Sequence, residues 1–211
     1  MNIKNIVFDV GQVLFEYNPG KIIDTLVPNC QDKESYLETL FFDRFWQDMD
    51  RGRFSDSEAK SILEKKSCND QKKCNELNLI FDRWPYHLDT IPEIKDLFCS
   101  LSKSYNVLIL SNFQDKPFDK LLEAHPFLKL ANGMVVSGKV KYVKPEPEIY
   151  TLMLDNHNIK AEETIFIDDR EANIVAANKL GINGILFTSP QELMTDLKTF
   201  NIEIPTRANA L

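Results

Sequence analysis

No apolar run in the 211-residue chain reaches the ~18 residues that a spanning helix needs, so no membrane partner is expected. A basic excess is missing too. Against 25 Lys and Arg stand 32 Asp and Glu, a formal net charge of −7, whereas a general nucleic-acid binder carries a basic footprint. Nucleic acid is therefore not an expected partner. Cysteine is sparse: Cys30, Cys68, Cys74 and Cys99 show no CxxC spacing and form no disulfide framework at this length. Their expected role is that of small hydrophobes. The N-terminus runs from Met1-Asn2-Ile3-Lys4-Asn5 straight into a short apolar stretch with Asp9 inside it, which is not the build of a signal peptide. Cytosol is the expected compartment. Internal repeats, low-complexity tracts and long linkers are also lacking. Aromatics are plentiful, with 14 Phe, six Tyr and two Trp, enough to offset the entropy of ordering. Such a chain buries a real core as one large domain, or as one domain carrying a sizeable insertion.

Five short apolar runs rich in β-branched residues read as strands: Asn5–Val10, Asn106–Leu110, Gly133–Val136, Thr164–Ile167 and Asn183–Phe187. Runs this apolar suit strands buried on both faces of a parallel sheet. Helical patterns at Pro92–Lys103, Pro117–Glu123, Pro147–Asn156, Ala172–Lys179 and Pro190–Thr199 separate or follow them. Four of these begin with Pro, which is tolerated in a first helical turn. The expected fold class is α/β, a Rossmann-like open parallel sheet with right-handed crossovers. One stretch breaks the alternation. Between Phe15 and about Thr90 no strand signal is visible, and four helices are expected at Lys21–Val27, Lys33–Met49, Ser55–Lys66 and Asp70–Trp84. Ser55 with Glu58 has the spacing of a capping box. The expected division is a core of residues 1–15 and 91–211 with a four-helix-type insertion at 16–90.

Ligands of open α/β sheets sit beyond the carboxyl ends of the strands, so what each strand delivers there matters. The first gives Phe8-Asp9-Val10-Gly11, the second Leu110-Ser111-Asn112 and the fourth Ile167-Asp168-Asp169. After the third comes Lys141-Tyr142-Val143-Lys144-Pro145-Glu146-Pro147. An Asp at a strand end is often only a helix cap, and each motif alone is weak. All four in this order make a strong signal. Gathered carboxylates repel unless protonated or neutralised by a hard cation such as Mg²⁺. A cation, a carboxylate, a hydroxyl and a Lys are the equipment of phosphoryl transfer.

In these motifs the chain resembles the haloacid dehalogenase-like hydrolases: Asp9, then Ser111, then Lys144, then Asp168-Asp169 with Asn173. The run Phe8-Asp9-Val10-Gly11-Gln12-Val13 with Leu110-Ser111-Asn112 and Lys144-Pro145 is similar to a bacterial branch that includes α-glucose-1-phosphate phosphatase. The resemblance implies that the insertion is a helical cap and that Asp9 is a nucleophile forming an aspartyl-phosphate. It implies Mg²⁺ held by Asp9, the Gly11 carbonyl and Asp169, with Asp168 the competing ligand. Ser111 and the Asn112 backbone would bind phosphoryl oxygens, and Lys144 would neutralise nucleophile and phosphate. Asp168 would fix Lys144 or a metal-bound water, and Asn173 would support the loop. The substrate implied is a small phosphorylated metabolite, a sugar phosphate such as glucose 1-phosphate among the candidates, acted on by a monomer or homodimer.

One position departs from the family. Most of its phosphatases carry a second Asp two residues after the nucleophile as general acid and base, and here that position is Gly11. Three readings stay open: a phosphosugar-binding protein with little turnover, a phosphatase that obtains its proton elsewhere, and a metal-independent haloacid dehalogenase. The phosphatase is preferred, because the Asp168-Asp169 pair has no evident purpose without a metal. If another group supplies the proton, Glu16 or a residue near Trp46 is the place to look. Trp46 and Arg51 are otherwise read as cap core and solvated surface, with substrate contact as the competing reading, and Arg83-Trp84 is equally ambiguous. His87, His125 and His157 lie outside the motifs and are expected on the surface or in the core. Lys139 and Lys141 either raise the local potential or form a solvated loop.

Overall fold

The computed structural model describes residues 2–204. Its main sheet is formed by β1 (Asn5–Phe8), β4 (Asn106–Ser111), β5 (Gly133–Val136), β6 (Thr164–Asp168) and β7 (Asn183–Leu186). All neighbours are parallel, in the order β5-β4-β1-β6-β7. The expected α/β class and open parallel sheet are thus observed. Side chains alternate across the sheet as a period of two requires. Ile6 and Phe8 face a large cluster with Leu97, Phe98 and Phe15, while Val7, Leu108 and Phe166 face Ile149, Tyr150 and Met153. Both faces are dry, which is why the strands read as unbroken apolar runs rather than alternating ones.

The helices around this sheet are α6 (Pro92–Leu101), α7 (Asp115–Ala124), α8 (Ser137–Val140), α9 (Pro147–His157), α10 (Glu171–Lys179) and α11 (Pro190–Thr199). Proline opens α6, α9 and α11 as expected. Pro117 does not open its helix. α7 starts two residues earlier, and Pro117 is its third residue, still within the turn whose N–H groups have no helical partner.

The segment between Phe15 and Thr90 is helical but corrects two expectations. It is entered and left through a two-stranded antiparallel ribbon, β2 (Phe15–Glu16) and β3 (Asp89–Thr90), too short to leave a period in the sequence. Between them lie α1 (Pro19–Leu26), α2 (Lys33–Leu37), α3 (Arg44–Asp50), α4 (Asp56–Lys66) and α5 (Gln71–Arg83). The single helix expected over Lys33–Met49 is therefore broken. A π-helical turn at Glu38–Phe42 follows α2, and Asp43 then turns extended and accepts from Phe45 N–H at 3.2 Å as the N-cap of α3. A short acid that can cap favours a new helix start over continuation. The Ser55–Glu58 capping box is formed as expected. The cysteines are all free, Cys74 buried but Cys68 exposed at φ 53°, so Cys68 is not the small core hydrophobe expected. His125 is half-buried, edge-on to Phe15 at 4.7 Å between ring centres.

Candidate active site

The strand order reverses between β1 and β6, because β4 and β5 extend the sheet to one side and β6 and β7 to the other. The crevice beyond the strand ends at such a switch point is where this architecture binds ligands. Register fixes what meets there: Phe8 pairs with Ile167 on one side and Ile109 on the other. Asp9 therefore emerges level with Asp168 and Leu110, its own N–H bonded to Ile167 C=O at 2.9 Å.

Lys144 reaches this point from the loop before α9. It is 3% exposed, and its Nζ donates to Asp168 Oδ2 at 2.7 Å and Leu110 C=O at 3.0 Å and pairs with Asp9 Oδ1 at 2.8 Å. Those three acceptors use all three ammonium protons. Burial opposes the Lys144 charge, but Asp9 and Asp168 outweigh it and hold the pKa above the ordinary value. The loop carrying Lys144 is clamped by Asn112: Asn112 Nδ2 donates to Lys144 C=O at 2.9 Å, and Lys144 N–H donates to Asn112 Oδ1 at 2.8 Å. Asn112, expected to contribute through its backbone, thus also spends its side chain on Lys144.

The two neighbouring acids differ. Asp168 is fully buried, and its oxygens accept from Lys144, Arg170 N–H and the Asn173 amide at 2.7–3.0 Å. Asn173 is itself held by Tyr150, whose hydroxyl donates to Asn173 C=O at 3.0 Å. Asp169 is half-buried and opens into the cavity in front of the sheet. One oxygen from each of Asp9, Asp168 and Asp169 lies within 4.8 Å of the others. Burial, opposed by Lys144 and reinforced by Asp168, pushes Asp9 up to about 7, and burial together with Asp168 raises Asp169. An all-oxygen donor set under this much mutual repulsion fits a hard divalent cation.

The cavity holds about 610 Å³. Asp9, Gly11, Ser111, Asn112, Lys144 and Asp169 form its floor, and Asn173 also borders it. Its opposite wall comes from the helical segment, where Trp46 and Trp84 pack edge-on at 5.0 Å and Trp84 stacks on Phe113 at 4.9 Å. Both tryptophans are buried, as a core reading requires, and both also line the cavity. Arg51 is not a solvated side chain. Its guanidinium forms a two-pronged pair with Glu146 at 2.5 and 3.0 Å, joining α3 to the Lys144 loop. Lys139 and Lys141 do not face the floor: Lys139 pairs with Asp115 and Asp119, and Lys141 Nζ donates to Gly52 and Gly138 carbonyls. The sequence reading did not single out Tyr17, Asp50 or Phe113, all of which line the cavity. Phe113 and Gln114 directly follow the Ser111-Asn112 motif, a proximity that could have flagged them. Tyr17 carries no local signal, while Asp50 lies four residues after Trp46 in α3, the neighbourhood in which a proton source was expected.

Residues 20–187 match the haloacid dehalogenase-like hydrolase family. The chain belongs to that family of hydrolases. A D-ribitol-5-phosphate phosphatase from Bacteroides thetaiotaomicron is 26% identical over 85% of this chain and 89% of its own. A sesquiterpene phosphatase from Aspergillus oryzae is 27% identical over 92% and 95%. Among solved structures, a haloacid dehalogenase-family enzyme from B. thetaiotaomicron in complex with magnesium and inorganic phosphate is 25% identical, with a TM-score of 0.73 over 88% of this chain and 94% of its own. Dehalogenase structures share the fold at 17% identity and a TM-score of 0.69. Among the described residues no helix is long and apolar enough to cross a membrane.

Proposed function

We propose that the chain is a Mg²⁺-dependent phosphomonoesterase that works through an aspartyl-phosphate at Asp9 on a small phosphorylated sugar or polyol, with residues 16–90 acting as its cap. The observation that carries the reading is Lys144, buried and bonded to both Asp9 and Asp168 beneath a cavity into which Asp169 opens. Asp9 Oδ1 is held by Lys144 and by Val10 N–H at 2.7 Å, which orients the carboxylate for in-line attack. Ser111 and the Asn112 backbone would receive phosphoryl oxygens, and Lys144 would offset their charge. Asp9, the Gly11 carbonyl and Asp169 would hold the metal; Asp168, with both oxygens already engaged, serves Lys144 instead. Magnesium, when bound, supplies positive charge to the transferring phosphoryl group. The aromatic wall of Trp46, Trp84 and Phe113 beside Gln47 suits a polyol or sugar, whose C–H faces stack while its hydroxyls find polar partners.

Gly11 favours one second reading, a phosphosugar-binding protein with little turnover, because the position two residues after Asp9 offers no acid. A dehalogenase gains nothing from three converging carboxylates. The test is hydrolysis of p-nitrophenyl phosphate and a panel of sugar and polyol phosphates with and without Mg²⁺, beside a haloacid without metal. Metal-dependent phosphate release supports the proposal. Binding without release would favour the second reading, and metal-free haloacid turnover would favour the dehalogenase.

A further inference from the structure

Breaking a phosphate ester of an ordinary alcohol requires a proton for the departing oxygen. Gly11 offers none, and a Cβ built there meets nothing within 4 Å, so that part of the cavity is open space. Gly11 also lies outside the left-handed backbone region, which among the described glycines holds Gly52 and Gly181. The space is therefore not a by-product of a turn that demands glycine.

Asp50 stands across the same cavity. It is the last residue of α3, and its backbone carbonyl accepts from Ser137 Oγ at 2.5 Å. The same Ser137 oxygen accepts from Phe113 N–H at 2.9 Å. A single buried hydroxyl thus ties Asp50 to the strand-end loop carrying Ser111 and Asn112. Nearby, Gly52 packs so closely on Gly138 that a Cβ would lie 2.3 Å from its carbonyl oxygen. The end of α3 is seated on the sheet domain rather than suspended above it, and Asp50 lines the cavity with Asp9, Ser111 and Lys144.

We propose that Asp50 is the general acid and base of the reaction, delivered from the helical segment in place of the acid that Gly11 lacks. In the first half-reaction an Asp9 oxygen forms a bond to phosphorus as the ester P–O bond breaks. The electron pair goes to the departing oxygen, which takes the proton of the Asp50 carboxyl. In the second, the Asp50 carboxylate accepts a proton from the water that attacks the aspartyl-phosphate, which returns Asp9 as carboxylate and releases phosphate. Atoms and charge balance over the cycle, and no further reactant is required. The proposal rests on the phosphatase reading above.

The surroundings of Asp50 favour its protonated form. Burial and the Asp9 charge push its pKa well above the usual carboxylate range, opposed by a contact from Gln114. Tyr17 faces it with a hydroxyl that is buried without a partner and is itself raised by burial and by Asp50. Of the cations lining the cavity, Lys144 pairs with Asp9 and Asp168, Arg51 with Glu146, and Arg44 and Arg53 with Asp48, while Arg170 makes no ion pair among the described residues. Among the described residues none of the ion pairs involves Asp50.

The deciding experiment compares first-turnover rates of Asp50→Asn and wild type on p-nitrophenyl phosphate and on a primary alkyl phosphate, both with Mg²⁺. The amide keeps shape and neutrality but has no proton to give. Release of p-nitrophenolate, which needs no acid, should change little, while release of the alkyl alcohol should fall by about 10²–10⁴-fold. Asp50→Ser provides the same comparison if the first variant does not fold, and Asp50→Glu should restore alkyl ester cleavage in part. Equal losses on both esters would mean a structural role, and no loss on either would mean no role; each overturns the proposal. A wild type that cleaves neither ester would remove the phosphatase reading, and the acid with it.

Discussion

The two walls of the cavity are built on opposite terms. At the sheet end Lys144, Asp168 and Asn112 are saturated: each Lys144 proton has an acceptor, each Asp168 oxygen has donors, and Asn112 locks the Lys144 loop by two reciprocal bonds. On the helical side the Tyr17 hydroxyl and the Trp84 Nε1–H are buried with no partner among the described residues, beside the ring of Trp46. An unpaired buried polar group costs about 1–3 kcal/mol, so such groups persist where a ligand can satisfy them. The comparison assigns bond-making to the preorganised floor and choice of leaving group to the under-satisfied wall. Changes on the floor should abolish turnover whatever the ester, and changes on the wall should re-rank esters.

The largest effect is expected from Asp9→Asn, which removes the nucleophile at constant shape and should lower turnover of every ester by about 10³-fold or more. Thermal unfolding should show the fold intact. Lys144→Met should be nearly as damaging and should also destabilise, by about 3–5 kcal/mol, because Asp168 is left buried without its cation; urea unfolding measures it. In a Mg²⁺ titration of activity, Asp169→Ala should shift the midpoint more than Asp168→Ala, since Asp169 opens to the cavity and Asp168 is consumed by Lys144, Arg170 and Asn173. On the wall, Trp84→Phe should leave p-nitrophenyl phosphate turnover nearly unchanged. It should raise KM for the preferred polyol or sugar phosphate by about tenfold, the loss of one hydrogen bond.

The smallest effect belongs to the contact between the walls. The Arg51–Glu146 pair is about one-third exposed, so Glu146→Gln should cost no more than about 1 kcal/mol. The bond to Arg51 holds the Glu146 carboxyl below its usual pKa. Its stabilisation is thus present above the unfolded-state value and lost as pH falls through the lowered folded value. Unfolding free energies at neutral and acid pH should differ less in Glu146→Gln than in wild type.

The same contrast explains what the sequence made legible. Lys144 lies in the loop after the third strand of the main sheet, while Asp9, Ser111 and Asp168-Asp169 each sit at or just after an apolar run, so strand periodicity alone brings these acids and the serine to one edge of the sheet. Asn173 follows within the next helical turn. The wall has no such grammar. Asp50 reaches the site only because Ser137 and Gly138 receive α3 from 87 residues away in the chain, and Tyr17 because a two-residue strand turns it there. Neither contact leaves a period. The break at Asp43 was hidden for a related reason: apolar spacing continues through the π-helical turn although the helix does not. Trp46 and Trp84 were visible as aromatics, but core packing and cavity lining demand the same residue types, and both proved true of them.

The central claim is that the saturated floor performs covalent chemistry through Asp9. The most direct measurement is acid quenching of wild type during turnover of a phosphate ester with Mg²⁺, followed by borohydride reduction and peptide mass spectrometry. An aspartyl-phosphate reduced in this way leaves homoserine in place of the aspartate. The account predicts homoserine at position 9 in turning-over wild type and none in Asp9→Asn. Homoserine at position 168 or 169, or its absence from position 9 while turnover is limited by breakdown of the intermediate, would contradict it.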